Sequence, residues 1–486
     1  MLSHICWRAI IPLLLTLAAG LPVQEKSNLT AEAAAELALI YAYPLLAYRS
    51  DYLSLTPRIG VNNIGHARHL NTASTPGVVK PNVDTLYSSA IYDVSHQDLI
   101  VKLPPIPSNQ YVLVSFHDLY GNNFAVLGQN NLTAHASFRL STSKSVLGIN
   151  STVKEEVITS PTTFGVLLVR WLVKDNNLNL IHALQNITTT TALPRLNGTT
   201  VSSSPANPAI EAINWNASIS TPAQTSLKLL CQVGTDNLQG AFAGNHSVRS
   251  VLAASGVCSH NLTTLTTFVE AANTTANTTA NTAIAAAGQS ALQNVNEGWS
   301  SVRTGLTGQF GSDYGLRAEI ARTGYLMLQA PYAIYPSWSN HSTAAPPMEG
   351  ETLQLGENES YIYTFSCKPP VQAHGFWSLT AYDAAGYLID NPLNVYSLGD
   401  RSNITYSFGA AVYGAESNVT QDGPFQLLVQ PADVLPPSNW TSNWLPGPAG
   451  GGNMTALLRW FNASDALLDG SYQYPVVTRQ GAITQK

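Results

Sequence analysis

Apolar positions recur along this chain with two periods, and each period keeps to its own regions. Tyr41, Leu45, Tyr48 and Tyr52 fall on one stripe at helical spacing. Thr30 is placed to cap a helix over residues 31–53, Glu32 suits its first turn, and Pro44 should kink it. The period then shortens to two. Residues 84–92, 111–118 and 123–127 read as strands broken by Pro, Gly and Asn, and 164–173 is a nearly continuous apolar strand.

From about residue 175 to 300 the texture changes. Helix-like pieces at 209–215 and 226–233 sit among proline-containing linkers, and a Thr/Asn/Ala tract repeats Asn-Thr-Thr-Ala at 273 and 277. That tract reads as solvated low complexity. A helix over 313–328 carries Arg317 and Glu319, after which strands return at 360–367, 375–382, 404–408 and 425–429, with a short apolar piece at 457–460. The pattern predicts an α+β protein: β-sandwich-rich domains at 28–174 and 313–486, and a helical, partly low-complexity, glycosylated insert at 175–312.

A short apolar leader precedes all of this. His4 and Arg8 are weakly basic, 9–17 is apolar, and Ala18-Ala19-Gly20 offers a cleavage site, so residues 1–20 read as a signal peptide. The run is too short to span a bilayer, and no later stretch suits a transmembrane anchor. Sequons agree with export, at Asn28, Asn131, Asn150, Asn186, Asn197, Asn216, Asn245, Asn261, Asn273, Asn277, Asn340, Asn358, Asn403, Asn418, Asn439, Asn453 and Asn462. The expectation is a secreted glycoprotein. Only 11% of residues are charged and the net charge is −6 without a basic block, which argues against nucleic-acid binding. In an oxidising compartment Cys231 and Cys258 form the expected disulfide, and Cys367 reads as a buried thiol.

Two stretches resemble known families. The run Val79-Lys80-Pro81-Asn82-Val83-Asp84-Thr85-Leu86-Tyr87-Ser88 and the run His117-Asp118-Leu119-Tyr120-Gly121-Asn122-Asn123 resemble the uncharacterised domain family numbered 1254. Gly375-Phe376-Trp377-Ser378-Leu379-Thr380-Ala381-Tyr382-Asp383, with Asn443-Trp444-Leu445-Pro446-Gly447-Pro448, resembles its C-terminal companion, numbered 1214. The resemblance implies a two-part, β-sandwich-rich fold of a secreted fungal type, linked to small-molecule metabolism, and brings no settled reaction.

Candidate chemistry gathers at strand ends. Asn82, Asp84 and Tyr87 follow the Pro81 turn; they either cap it or hold and protonate a polar substrate. His117, at a strand end before Asn123, is a natural acid/base, and Tyr382-Asp383 ends its strand likewise. Trp377 reads as core or as an aromatic floor, and Arg49 as a cation on the tyrosine stripe. His66 and His69, at helical spacing, lack a third ligand, so no metal is expected. Zinc-peptidase, phosphate-loop and dinucleotide motifs are absent, so no cofactor is expected. The reading is a cofactor-independent isomerase, cyclase or lyase on a small, largely apolar metabolite. Asp84 or His117 is the expected base, Tyr87 or Tyr382 the acid, and Arg49, Asn82, Asn123, Trp377 and Asp383 contact substrate. The rival is a non-enzymatic β-sandwich that binds glycan or cell-wall polymer.

Overall fold

The computed structural model describes residues 30–485 apart from 76, 78, 129–136, 143–147, 152–155, 196–207, 216–220, 235–236, 239, 243–245, 259–274, 340–351 and 415–421. The leader at 1–20 and sequons Asn28, Asn131, Asn197, Asn216, Asn245, Asn261, Asn273, Asn340 and Asn418 lie outside these residues.

Helix α1 (Ala31–Ala42) begins where Thr30 Oγ1 accepts the Ala33 N–H at 3.2 Å. Pro44 does break it: α2 (Pro44–Ala47) starts there and passes into a π-helical turn at Tyr48–Tyr52. Ten strands follow in the N-terminal half: β1 (Ile64–His66), β2 (Thr85–Asp93), β3 (Asp98–Lys102), β4 (Val112–Asp118), β5 (Asn123–Gly128), β6 (Ser137–Thr142), β7 (Gly148–Ser151), β8 (Glu156–Ser160), β9 (Phe164–Leu172) and β10 (Thr189–Leu193). They form two five-stranded sheets, ordered β1-β2-β9-β4-β5 and β10-β3-β6-β8-β7. The sheets share one core. Leu86, Tyr92, Val114, Phe116, Val169 and Trp171 of the first meet Leu99, Val101, Phe138, Leu140 and Ile158 of the second. Strand β10 lies beyond residue 174, so the boundary expected there falls inside the second sheet.

The other face of the first sheet is covered twice. Ile91, Val166 and Leu168 pack under a helical layer of α1 with α4 (Pro222–Gln232), α5 (Val248–Ser255), α6 (Thr275–Ala291) and α7 (Tyr314–Thr323), following α3 (Leu178–Ile187) in the chain. Helix α6 corrects the low-complexity reading in part. Ala276, Ala280, Ile284 and Gly288, mostly small residues, give it a buried stripe at helical spacing. Cys231 and Cys258 are disulfide-bonded within this layer, and Cys367 is buried elsewhere.

The remainder of that face meets the C-terminal half. Its strands are β11 (Ala333–Ile334), β12 (Leu353–Leu355), β13 (Glu359–Phe365), β14 (Val371–Asp383), β15 (Ser397–Gly399), β16 (Phe425–Pro431), β17 (Trp444–Gly447), β18 (Gly452–Ala463) and β19 (Val476–Gly481). One sheet runs β11-β18-β14-β15, with β12 also on β18; the other runs β17-β16-β13-β19. Tyr361, Tyr363, Phe365 and Val429 of one meet Trp377, Leu379, Leu458 and Trp460 of the other. Alternation sends the intervening residues outward, so Phe376 and Phe461 stack on each other and pack on Tyr111, Leu113 and Leu172. Two local expectations are corrected. Residues 404–408 form a turn closed by a Thr405–Ala411 bridge, not a strand. His66 lies in β1, which breaks the helical spacing assumed for His69; its Nδ1 pairs with Ser88 Oγ at 2.7 Å.

Candidate active site

The two halves meet face to face, each presenting a polar row. On the first sheet, strand register sets Tyr87 opposite Arg170, and Ser115 and His117 follow on the same face of β4. On the facing sheet, Ser378, Thr380 and Tyr382 alternate with core residues along β14, and Arg459 lies opposite Ser378.

Asp84 joins the rows. Its Oδ1 receives Arg401 Nη2 at 2.6 Å and Ser397 Oγ at 3.4 Å, and its Oδ2 receives Ser378 Oγ at 2.6 Å. The other arm of Arg401 reaches Asp400 at 2.7 Å, and its guanidinium carbon lies 4.6 Å from the Phe376 ring centre. Burial raises the Asp400 carboxyl while Arg401 opposes the rise. Both oxygens of Asp84 are therefore engaged, in the geometry of a clamp between the halves. Tyr382 acts beside it: its hydroxyl donates to the Pro81 carbonyl at 2.7 Å and accepts from Arg459 Nη2 at 2.7 Å. Arg459 also reaches Thr380 Oγ1 and the Lys80 carbonyl, each at 3.1 Å.

Arg170 is different. It is 6% exposed; Nη1 donates to Ser115 Oγ at 2.9 Å, while Nε has no acceptor. No carboxylate among the described residues pairs with it. The groups that bear on its charge are phenols: Tyr87, whose ring centre is 5.5 Å from the guanidinium carbon, with Tyr335 and Tyr52. Burial pushes the Tyr335 hydroxyl up to about 12, against the pull of Arg170 and Arg459. Yet Tyr335 is 40% exposed, and Tyr52 and Tyr87 keep accessible surface. Tyr335 also lines a small cavity of about 40 Å³ with Met327, Ile334, Leu467 and Tyr474. Tyr111 adds a buried hydroxyl without a partner.

His117 lies further along the same face, fully buried. Burial, then the charge of Arg170, lowers its pKa to about 3, so the ring is neutral. Neither ring nitrogen makes a hydrogen bond of ordinary geometry, the Gly121 backbone offering only a weak polar contact. Gly121 has φ +85°, and a Cβ there would stand 2.5 Å from the ring of Tyr325, itself half-buried beside Tyr52.

The other expected site residues are placed as follows. Asn82 Oδ1 caps the turn, accepting the N–H groups of Asp84 at 2.6 Å and Thr85 at 3.1 Å. Asp383 caps a second turn through Ala385 and Tyr387. Asn123 ties β5 to the 309–329 region, where its Oδ1 accepts from Gln329 N. Trp377 is wholly in the core, bonded through Nε1 to Tyr413, and offers no surface floor. Arg49 lines a separate open groove of about 1,020 Å³ among the helices, with Trp215 and Arg322. The charged groups of that groove, Arg49, Asp51, Glu211 and Arg322, are exposed or half-exposed. The arrangement therefore brings together Asp84, Tyr87 and Tyr382, with His117 nearby, and leaves Arg49 apart.

Residues absent from the sequence reading are Arg170, Arg401, Arg459, Tyr111 and Tyr335; Tyr52 entered it only as a member of the helical tyrosine stripe. Arg170 did leave a signal: a single charge within the apolar run Phe-Gly-Val-Leu-Leu-Val-Arg-Trp-Leu-Val must be buried and needs a purpose.

The chain is 18% identical to the VPA0106 protein of Vibrio parahaemolyticus, with a TM-score of 0.60 over 93% of this chain and 100% of that one, a likeness of fold alone. An uncharacterised protein from Burkholderia cenocepacia is 11% identical, over 93% of this chain and 89% of that one, with a TM-score of 0.39. No curated protein matches. Residues 61–192 match the family described as protein of unknown function (DUF1254), and residues 343–465 match protein of unknown function (DUF1214). The chain belongs to the two-part family that joins these domains.

Proposed function

We propose that this chain is a cofactor-independent enzyme, of isomerase, cyclase or lyase type, acting on a small, largely apolar metabolite in the cleft between its halves. The observation that carries this reading is the set of deeply placed but accessible phenols, Tyr52, Tyr87 and Tyr335, next to unpartnered polar groups on Tyr111, Arg170 and His117. Buried groups left unsatisfied in one place mark where a ligand completes the bonding. A phenol between two guanidiniums is suited to donate a proton to a leaving or rearranging group, which makes Tyr335 and Tyr87 the acids. Neutral His117 accepts a hydrogen bond. Asp84 and Tyr382 hold the halves in register, and positioning supplies the remainder of the acceleration.

The reading extends to location. Seven sequon asparagines among the described residues, Asn186, Asn277, Asn358, Asn403, Asn439, Asn453 and Asn462, are exposed or half-exposed, as glycan attachment requires. This supports a secreted glycoprotein built on two β-sandwich units. No helix among the described residues is long and apolar enough to cross a membrane.

The test is to delete the gene, profile extracellular metabolites, and restore it as wild type, Tyr335→Phe or Tyr87→Phe/Tyr335→Phe. Accumulation of a precursor that wild type clears and the double variant does not is the expected result. Full rescue by the double variant refutes the assignment. Endoglycosidase treatment of the exported protein should lower its mass; an unchanged mass refutes the glycoprotein reading.

A further inference from the structure

We infer that the cleft takes a monoanion, a carboxylate on an otherwise apolar small molecule, and that Arg170 is the group that binds it. The inference rests on the proposed cleft and adds its substrate class. A buried guanidinium without a counter-charge is costly, by several kcal/mol after relaxation. Arg170 is 94% buried by its 6% exposure, has no carboxylate partner among the described residues, and has an Nε–H without an acceptor.

Its neighbours define the ligand. The phenols of Tyr52, Tyr87 and Tyr335 act on its charge, Tyr87 also as a hydrogen-bonding neighbour, and each keeps accessible surface. Aromatic faces of this kind suit an apolar or aromatic body. Charge bookkeeping fixes the head group. The guanidiniums of Arg170, Arg401 and Arg459 stand against the carboxylates of Asp84 and Asp400, which leaves one net positive charge across the joint. That matches a monoanion and leaves a phosphate dianion under-compensated. Planar, two-pronged recognition of a carboxylate is what a guanidinium with open donors does best.

Two other arginines of this region are deeply buried, and neither competes. Arg459 also has no carboxylate partner among the described residues, but its Nη1 and Nη2 donate to Thr380, Tyr382 and the Lys80 carbonyl. The rings of Tyr41, Tyr120 and Tyr314 enclose the Arg317 guanidinium carbon at 4.5, 4.6 and 4.6 Å, its Nη2 donates to the Tyr41 carbonyl at 3.1 Å, and the charge of Asp118 bears on it.

Calorimetric titration of the full-length protein tests this. The probes are benzoate, cinnamate and octanoate, each beside its neutral primary amide, with inorganic phosphate as a separate titrant. The expected result is binding of at least one carboxylate at least tenfold tighter than its amide, with phosphate weaker than that carboxylate. In Arg170→Gln the preference should fall to within twofold. Equal binding of acid and amide overturns the inference while leaving the cleft as a small-molecule site. Phosphate equal to or tighter than the best carboxylate overturns the choice of head group. Failure of every probe to bind overturns the inference together with the cleft. Thermal melting of free Arg170→Gln provides an independent readout. Removing a stranded charge should hold or raise the melting temperature, whereas a fall of several degrees would show that Arg170 is a structural cation.

Discussion

Replacing Asp84 with Asn should loosen the joint between the two halves by about 3 kcal/mol. Removing one member of a buried ion pair costs about 3–5 kcal/mol, because the other is left buried without compensation. The side chain of Asp84 is 5% exposed and that of Arg401 19%. Arg401 retains Asp400 at 2.7 Å, which keeps its charge answered and sets the expectation at the low end. Asn also preserves one acceptor for Ser378, now paired with Asp84 at 2.6 Å. Urea unfolding followed by tryptophan fluorescence reads the change; if the halves unfold in separate steps, the first step should carry it. A double-mutant cycle with Arg401→Met should return a coupling of about 2 kcal/mol, as direct contact requires. A midpoint within error of wild type for Asp84→Asn, or strict additivity in the cycle, would refute the clamp.

Three further outcomes follow from the same geometry. The pKa of His117 is about 3 when folded, against about 6.5 for an unperturbed imidazole, so the unfolded chain binds the extra proton between these values. Stability should therefore be full above about pH 6.5 and fall as the pH drops toward 3, with His117 accounting for about 2–3 kcal/mol between pH 7 and 4.5. His66, lowered to about 4 by burial and then Arg68, adds in the same direction, so His117→Gln should flatten the urea-midpoint profile only in part. Replacing Cys231 and Cys258 with Ala removes a crosslink over 27 residues and should cost about 3.5 kcal/mol in the chain-entropy model, measured by thermal unfolding. Gly121→Ala forces a Cβ to 2.5 Å from Tyr325 at φ +85°; it should lose about 1–3 kcal/mol and, by displacing Tyr325, weaken any cleft ligand more than a surface substitution does.

Legibility in the sequence followed the strength of local patterning. Strands β2, β4, β9 and β16 carry alternating or continuous apolar runs and lie within a residue or two of where the pattern puts them. Strands β6 and β8 are rich in Ser, Thr and charge; only pairing with β3 and with each other makes them strands. Helix α6 hides its buried stripe in small residues, which contribute little to a hydrophobic pattern. Of the residues singled out from their turns, Asp84, Tyr87 and Tyr382 lie where the halves meet, Asp84 and Tyr382 holding them together where a base and an acid were expected, and Asn82 caps its turn. Their arginine partners were not singled out. Arg401 is 317 positions from Asp84, and spacing along a chain carries no information about such a contact. Arg170 was visible as a charge out of place, but its lack of a carboxylate emerges only once the sheets face each other.

The joint also constrains biosynthesis. Tyr111, Leu113 and Leu172 finish folding against Phe376 and Phe461, residues made well after them. At about 5–20 residues per second, the ribosome needs roughly 15–60 seconds to go from Leu172 to Phe461. Throughout that interval the nascent first sheet presents a sticky flank with nothing to cover it. Newly made protein should therefore be prone to associate through this flank until the second half emerges, and a product terminated before residue 376 should be cleared by quality control.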